Sequence, residues 1–261
     1  MSEGGDEVDE GEGSEVERRS GPEETEVEPE GNLAPPVRQV SLREGLAVAL
    51  ATTAATAGVI AFAFNPTRAG HIAIPASMGS LYVVLTAVAI VRLRRRGDLR
   101  RVFRPLGGDM TLGAITAGAL YGLAHVTYAF LAKHGTPQEA WIIRLYLQLG
   151  EPSQLMAATV FGVAALEEVV WRGLVMRSLE DAFGGKRALV LSSILFAVAH
   201  APTLFLLRDP VAGLNPFIVM AGLGCSVVWG AIVLRTERLV PAIFAHALFS
   251  WAIVEFPLWR P

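Results

Sequence analysis

The chain has 261 residues, of which 52% are apolar and 18% charged, with a formal net charge of −3 and a single cysteine, Cys225. That balance excludes a soluble enzyme of ordinary composition, an intrachain disulfide framework and a cysteine-based metal centre, and it predicts an all-α, polytopic transmembrane helix bundle. The length allows one membrane domain with no sizeable soluble domain beside it.

Residues 1–31 hold thirteen acids against Arg18 and Arg19, a net charge of −11, while the remainder carries +8. So few apolar side chains do not offset chain entropy, and residues 1–40 are predicted to be a disordered acidic cytoplasmic tail ahead of a helical membrane domain over 41–261. The acidic start and the late first apolar run argue against a cleaved secretory signal. Apolar runs over 46–64 and 72–91 predict the first two spans, joined by a short turn around Asn65-Pro66 and Gly70. Arg92, Arg94, Arg95, Arg96, Arg100, Arg101 and Arg104 follow. By the positive-inside rule they set this loop, and with it the N-terminus, in the cytoplasm, where they face anionic headgroups of the lipid bilayer. No nucleic-acid-binding fold accompanies these arginines, so no nucleic-acid partner is expected.

A third span is predicted over 110–131. Its Gly118 and Gly122 have the spacing that admits a close neighbouring helix, and His125 near its middle either lines a cavity or hydrogen-bonds a neighbour. Residues 137–149 are shorter and amphipathic, with Trp141, Arg144 and Tyr146, and suit a helix lying in the interface or a gate over a site. The next apolar run, 153–175, contains Glu167-Glu168-Val169-Val170-Trp171-Arg172. A carboxylate at bilayer depth costs on the order of 3 kcal/mol, so three ionisable groups here mark a working site or a structural network. Glu168 and Arg172 are spaced i, i+4 and share a face, with the acid N-terminal to the base as an ion pair prefers. Glu167 lies about 100° round the helix and is not answered by Arg172 in the same way.

Two later runs each carry one histidine. Residues 188–207 contain Phe196-Ala197-Val198-Ala199-His200, and residues 239–256 contain His246-Ala247-Leu248-Phe249-Ser250, with a further span over 217–234 between them. A lone histidine on an apolar helix is usually a packing residue, but three spans that each place a proton-transfer group in the bilayer make coincidence a poor explanation. The inventory gives about seven spans with the C-terminus outside. At ~1.5 Å per residue Glu167 and His200 fall about 12 to 16 Å from the cytoplasmic ends of their helices, so the groups are expected to meet below the midplane, with access from the cytoplasm.

EExxxR, then FxxxH, then a histidine with a polar residue four positions on, each on its own span and in this order, resembles the CPBP (Abi) family of glutamic intramembrane proteases, which includes the CAAX-processing, Rce1-like endopeptidases. The resemblance covers roughly residues 153–256, the expected protease core. It implies an enzyme that hydrolyses a membrane-associated peptide or protein, with an eighth span present in some relatives. By position Glu167 matches the catalytic glutamate, His200 the histidine that helps it activate water, and His246 the histidine that stabilises the oxyanion. Ser250 stands where the family usually has Asn or Asp, and its hydroxyl donates one hydrogen bond over a shorter reach. Glu168, Arg172 and Phe196 take structural and orienting roles. The mechanism implied uses no metal and no other cofactor.

The residues themselves fit that chemistry. There is no GxSxG, and Cys225 has no adjacent base in sequence, so water is the expected nucleophile. Zinc is the minor alternative: two histidines and a glutamate are a legitimate ligand set, but HExxH and its inverse are absent. A proton-relaying transporter and an inactive relative acting as a membrane scaffold or immunity factor are the readings outside enzymology. The Ala-, Arg- and Gly-rich composition points to a prokaryotic plasma (inner) membrane; the sequence is silent on oligomeric state and on the substrate's identity.

Overall fold

The computed structural model describes residues 41–151 and 153–259, and the predicted disordered tail over 1–40 lies outside the described residues. Helices joined by turns and loops make up the described chain, and its β-type pairing is an isolated bridge between Asp209 and Gly213. Helix α1 (Leu42–Ala63) begins at Ser41, whose hydroxyl accepts the Glu44 amide at 3.2 Å, the usual way of satisfying a first-turn N–H. A short 3-10 turn over Pro66–Arg68 leads to α2 (Ala73–Arg95), the short α3 (Leu99–Phe103) and α4 (Asp109–Leu131). Thr136 caps α5 (Pro137–Leu149), and Gly150, at φ 81°, ends it in a conformation that favours glycine.

The motif helix starts at Ser153, which caps Met156, and runs as α6 (Gln154–Glu168), a π-helical stretch over Val169–Met176 and α7 (Arg177–Phe183). Helices α8 (Gly185–Ala199), α9 (Pro202–Leu206), α10 (Phe217–Thr236) and α11 (Val240–Glu255) complete the bundle. Among the described residues six helical segments are long and apolar enough to cross a membrane: α1, α2, α4, Gln154–Phe183, Gly185–Leu206 and α10. The expected seventh is α11, with 16 residues. At ~1.5 Å per residue it falls somewhat short of the hydrocarbon thickness, and it is packed between α4 and α6.

Ion pairs tie together one end of the bundle. Arg92 meets Glu44 at 2.6 Å, Arg96 meets Asp181 at 2.8 Å, Arg101 meets Glu237 at 3.2 Å and Arg238 meets Asp109 at 2.6 Å. Thirteen described Lys and Arg residues sit at this end, against Arg68, Lys133, Arg144 and Arg208 at the other. The Asp181 and Asp98 carboxylates raise the Arg96 guanidinium above its ordinary pKa against the opposing effect of burial. The arginine-rich end is therefore a cross-linked charged layer, whereas at the opposite end the four bases are matched by Glu139, Glu151, Asp209 and Glu255.

Helix α4 meets the bundle mainly through α11, and Gly113 sets that approach. A Cβ there would come within 2.6 Å of Phe244 Cβ and 2.8 Å of the Pro241 carbonyl. The expected close contact at Gly118 and Gly122 is not made, since nothing among the described residues lies within 4 Å of a Cβ added at either. His125 is exposed and stacks at 4.5 Å on Tyr121 rather than lining a cavity. Gly113→Ala is predicted to push α4 off α11 at a cost of about 1–3 kcal/mol, measured as a lower thermal midpoint in detergent, whereas Gly118→Ala should leave the midpoint unchanged.

Candidate active site

Glu167 and Glu168 end the regular part of the motif helix. The π-helical turns that follow carry an extra residue per turn, a feature often found at functional sites. Glu167 is 7% exposed, Glu168 0%, Arg172 1% and His246 4%. Arg172 Nη1 donates to Glu168 Oε1 at 2.9 Å, the i, i+4 pair that the spacing predicts. Its Nη2 donates to both the carbonyl and the hydroxyl of Ser226 on α10, each at 2.8 Å. A buried guanidinium needs this many partners because desolvation costs several kcal/mol per ion.

The same carboxylate oxygen, Glu168 Oε1, lies 2.7 Å from His246 Nδ1. An ionised carboxylate only accepts, so Nδ1 carries the proton and Nε2 is turned toward the cavity, 3.5 Å from Glu167 Oε2. His200 is fixed by the same logic. Its Nδ1 is 2.8 Å from the Phe196 carbonyl, which only accepts, so Nε2 of the neutral ring is left with a lone pair. The Phe196–His200 spacing thus acts through the backbone carbonyl as well as through the ring contact at 4.7 Å.

Aromatic rings complete the enclosure. Trp229 stacks on His246 with centroids 3.6 Å apart, and the Arg172 guanidinium lies 5.5 Å from the Phe196 ring and 5.6 Å from that of Trp229. The Tyr82 hydroxyl accepts Trp171 Nε1 at 3.2 Å and also interacts with Glu167 and Thr56. Ser226, Trp229 and Tyr82 are the site residues that sequence reasoning missed. Ser226 and Trp229 share one face of α10 with Cys225, and a polar residue and an indole three apart in an apolar run are the signal that was available.

Glu167, His200, His246 and Ser250 line one cavity of about 270 Å³, with Phe196 also in its wall. Glu168 and Arg172 lie behind that wall. Among the described residues no three His, Cys, Asp or Glu side chains are grouped as a metal-ligand set. The cavity runs from these groups toward Phe64, Leu145, Leu149, Phe217 and Ile253, at the arginine-poor end of the bundle. In the other direction Leu93, Val102, Val175, Leu179 and Leu239 are at most 1% exposed, and none of them lines the cavity. The lining thus reaches toward the arginine-poor end, whereas counting helical rise predicts access from the arginine-rich side.

Helix α5 forms the roof. Asn215 Nδ2 donates to the Trp141 carbonyl at 2.9 Å, Gln148 Nε2 to the Asn65 carbonyl at 3.2 Å, and Tyr146 to the Ile253 carbonyl at 3.0 Å. Burial pushes the Tyr146 phenol up to about 12, so it remains a donor at ordinary pH. Arg144 Nε donates to Asp209 at 3.1 Å. The Ala212 and Val211 amides, and after them the Arg144 guanidinium, hold the Asp209 carboxyl below its usual range. A depressed folded value means that the contribution of this clasp is present above the ordinary carboxylate range and is lost as pH falls through the lowered value.

Arg172→Met strands a buried carboxylate and is predicted to destabilise the fold by about 3–5 kcal/mol. The double variant Glu168→Gln/Arg172→Met should recover part of that loss, read as yield and thermal midpoint in detergent; strictly additive losses would contradict the coupling.

A family model described as type II CAAX prenyl endopeptidase Rce1-like matches residues 149–252. The matched segment includes Glu167, Glu168, Arg172, Phe196, His200, His246 and Ser250. A search of curated proteins and a search of solved structures each found no match.

Proposed function

We propose, on the match of residues 149–252 to the Rce1-like family model, that the chain is a member of the CPBP, Rce1-like family and a glutamic-type intramembrane endopeptidase acting on a membrane-associated peptide or protein. The observation that carries the reading is the convergence of Glu167, His200 and His246 on one cavity, with each imidazole held by a partner that fixes which nitrogen faces inward.

In this mechanism a water held between Glu167 and His200 Nε2 loses a proton to Glu167 and attacks the scissile carbonyl carbon. The carbonyl electrons move onto oxygen, and His246 Nε2, in the doubly protonated ring, donates to that oxyanion with Ser250 beside it. Collapse of the tetrahedral intermediate breaks the C–N bond, and the proton on Glu167 passes to the departing amine. Positioned proton transfer of this kind contributes typically 10²–10⁴-fold, and one oxyanion donor about 10²–10³-fold. Glu168 does not touch the reacting atoms; it holds His246 and neutralises Arg172.

No step needs a metal, and a strong chelator should leave cleavage unchanged; loss of activity restored by zinc would favour the zinc alternative. The arginine-rich end is assigned to the cytoplasm of a prokaryotic plasma membrane. The direct test compares the termini of membrane proteins by mass spectrometry in cells carrying wild type or Glu167→Gln. A defined set of termini that depends on Glu167 is expected. Identical profiles, with both proteins present in the membrane, would favour the inactive scaffold.

A further inference from the structure

The cavity's direction and chemistry limit what it can hold. Its far wall is built from Phe64, Ile74, Leu145, Leu149, Phe217 and Ile253, on elements of the arginine-poor side, and the buried residues Leu93, Val175 and Leu239 toward the other end do not line it. No Lys or Arg side chain lines it. The cation behind the wall, Arg172, is already occupied by Glu168 and Ser226. If a substrate were cut three residues from its C-terminus, its terminal carboxylate would lie about 10 Å from the scissile bond at ~3.3 Å per extended residue, inside this apolar wall and without a counter-charge.

We propose that the substrate enters from the arginine-poor, extracytoplasmic face, past α5, as an extended apolar stretch of a membrane-anchored polypeptide, and is cut at an internal bond rather than at a terminal tripeptide recognised by its carboxylate. The second half of this proposal rests on the endopeptidase reading; the entry side does not. Helix α5 is suited to being displaced because side-chain bonds to neighbouring loops, including the partly exposed Arg144–Asp209 clasp, hold it over the cavity. Leu145 and Leu149 of α5 continue the apolar wall toward that face.

The test uses full-length protein in a Cys225→Ser background with one introduced cysteine at a time. Thr159→Cys reports on the cavity wall, and Ile218→Cys repeats the measurement from a second helix. Val211→Cys marks the arginine-poor face, where Val211 is 96% exposed, and Arg100→Cys marks the arginine-rich face. Intact cells and inverted membrane vesicles are treated with a sulfonated, membrane-impermeant maleimide. Thr159→Cys and Ile218→Cys are expected to label in the same preparation as Val211→Cys, and Arg100→Cys in the other. Labelling of the cavity positions with Arg100→Cys, or only by a membrane-permeant maleimide, overturns the entry side.

In the comparison of termini, Glu167-dependent cuts are expected within or at the extracytoplasmic ends of apolar segments. Cuts confined to the last three residues of substrates, or to cytoplasmic ends, overturn the substrate class. An absence of Glu167-dependent cuts overturns the endopeptidase reading and the substrate class with it, and leaves the labelling result to decide the entry side alone.

Discussion

Glu168 Oε1 receives a guanidinium N–H from its own helix at 2.9 Å and an imidazole N–H from α11 at 2.7 Å, while the same guanidinium reaches across to Ser226 on α10. Three helices are thus registered on one buried charge pair. Such a pair offsets its desolvation only when its donors and acceptors are met, which fixes the relative height of α6, α10 and α11 and the rotation of each. A polar group that slides by one residue inside an apolar bundle loses its partner and gains nothing. The neighbouring rings of Trp229 and Phe196, each within 5.6 Å of the Arg172 guanidinium, add dispersion and cation–π attraction.

That registration leaves Glu167 as the carboxylate facing the cavity. One turn of a helix presents two adjacent acids to two different environments: Glu168 to a buried ion pair in which Oε1 takes both donors and Oε2 has no hydrogen-bond partner, Glu167 to a cavity with two imidazoles. Environment separates their roles, as it does wherever two nearby carboxylates do different work. The charged layer at one end of the bundle and the apolar cavity opening toward the other then give the site a direction. Helix α5, amphipathic and tied by side chains to three neighbouring segments, closes that direction without filling it.

Much of this is legible in the sequence because bilayer-spanning helices obey strong rules. The span positions follow from apolar runs, the Glu168–Arg172 pair from i, i+4 geometry, and the amphipathic α5 from its composition, although the motif helix runs on to Phe183, eight residues past its predicted end. The ordered Glu, His and His motifs mark the helices that line the cavity. Ser226, Trp229 and Tyr82 were not legible, since a serine or an aromatic residue on an apolar helix has many packing uses and only the fold shows which one applies. Which way the cavity's lining extends was not legible either, because helical rise gives a residue's depth and not the direction in which the space beside it continues; around Gly173 the side chains of Leu239 and Leu93 pack closely.

The account's central claim is that Glu167, and not its neighbour, handles the proton of the attacking water. Purified protein in liposomes, given a peptide spanning one of the cleavage sites found in cells, allows a direct comparison of Glu167→Gln with Glu168→Gln. The account predicts that Glu167→Gln abolishes hydrolysis across the accessible pH range while its thermal midpoint stays near wild type. Glu168→Gln should lower the midpoint and leave measurable cleavage with an altered pH profile, because His246 loses an ionised partner but Glu167 and His200 are intact. Cleavage by Glu167→Gln, or equal and complete loss in both variants with unchanged stability, would contradict it.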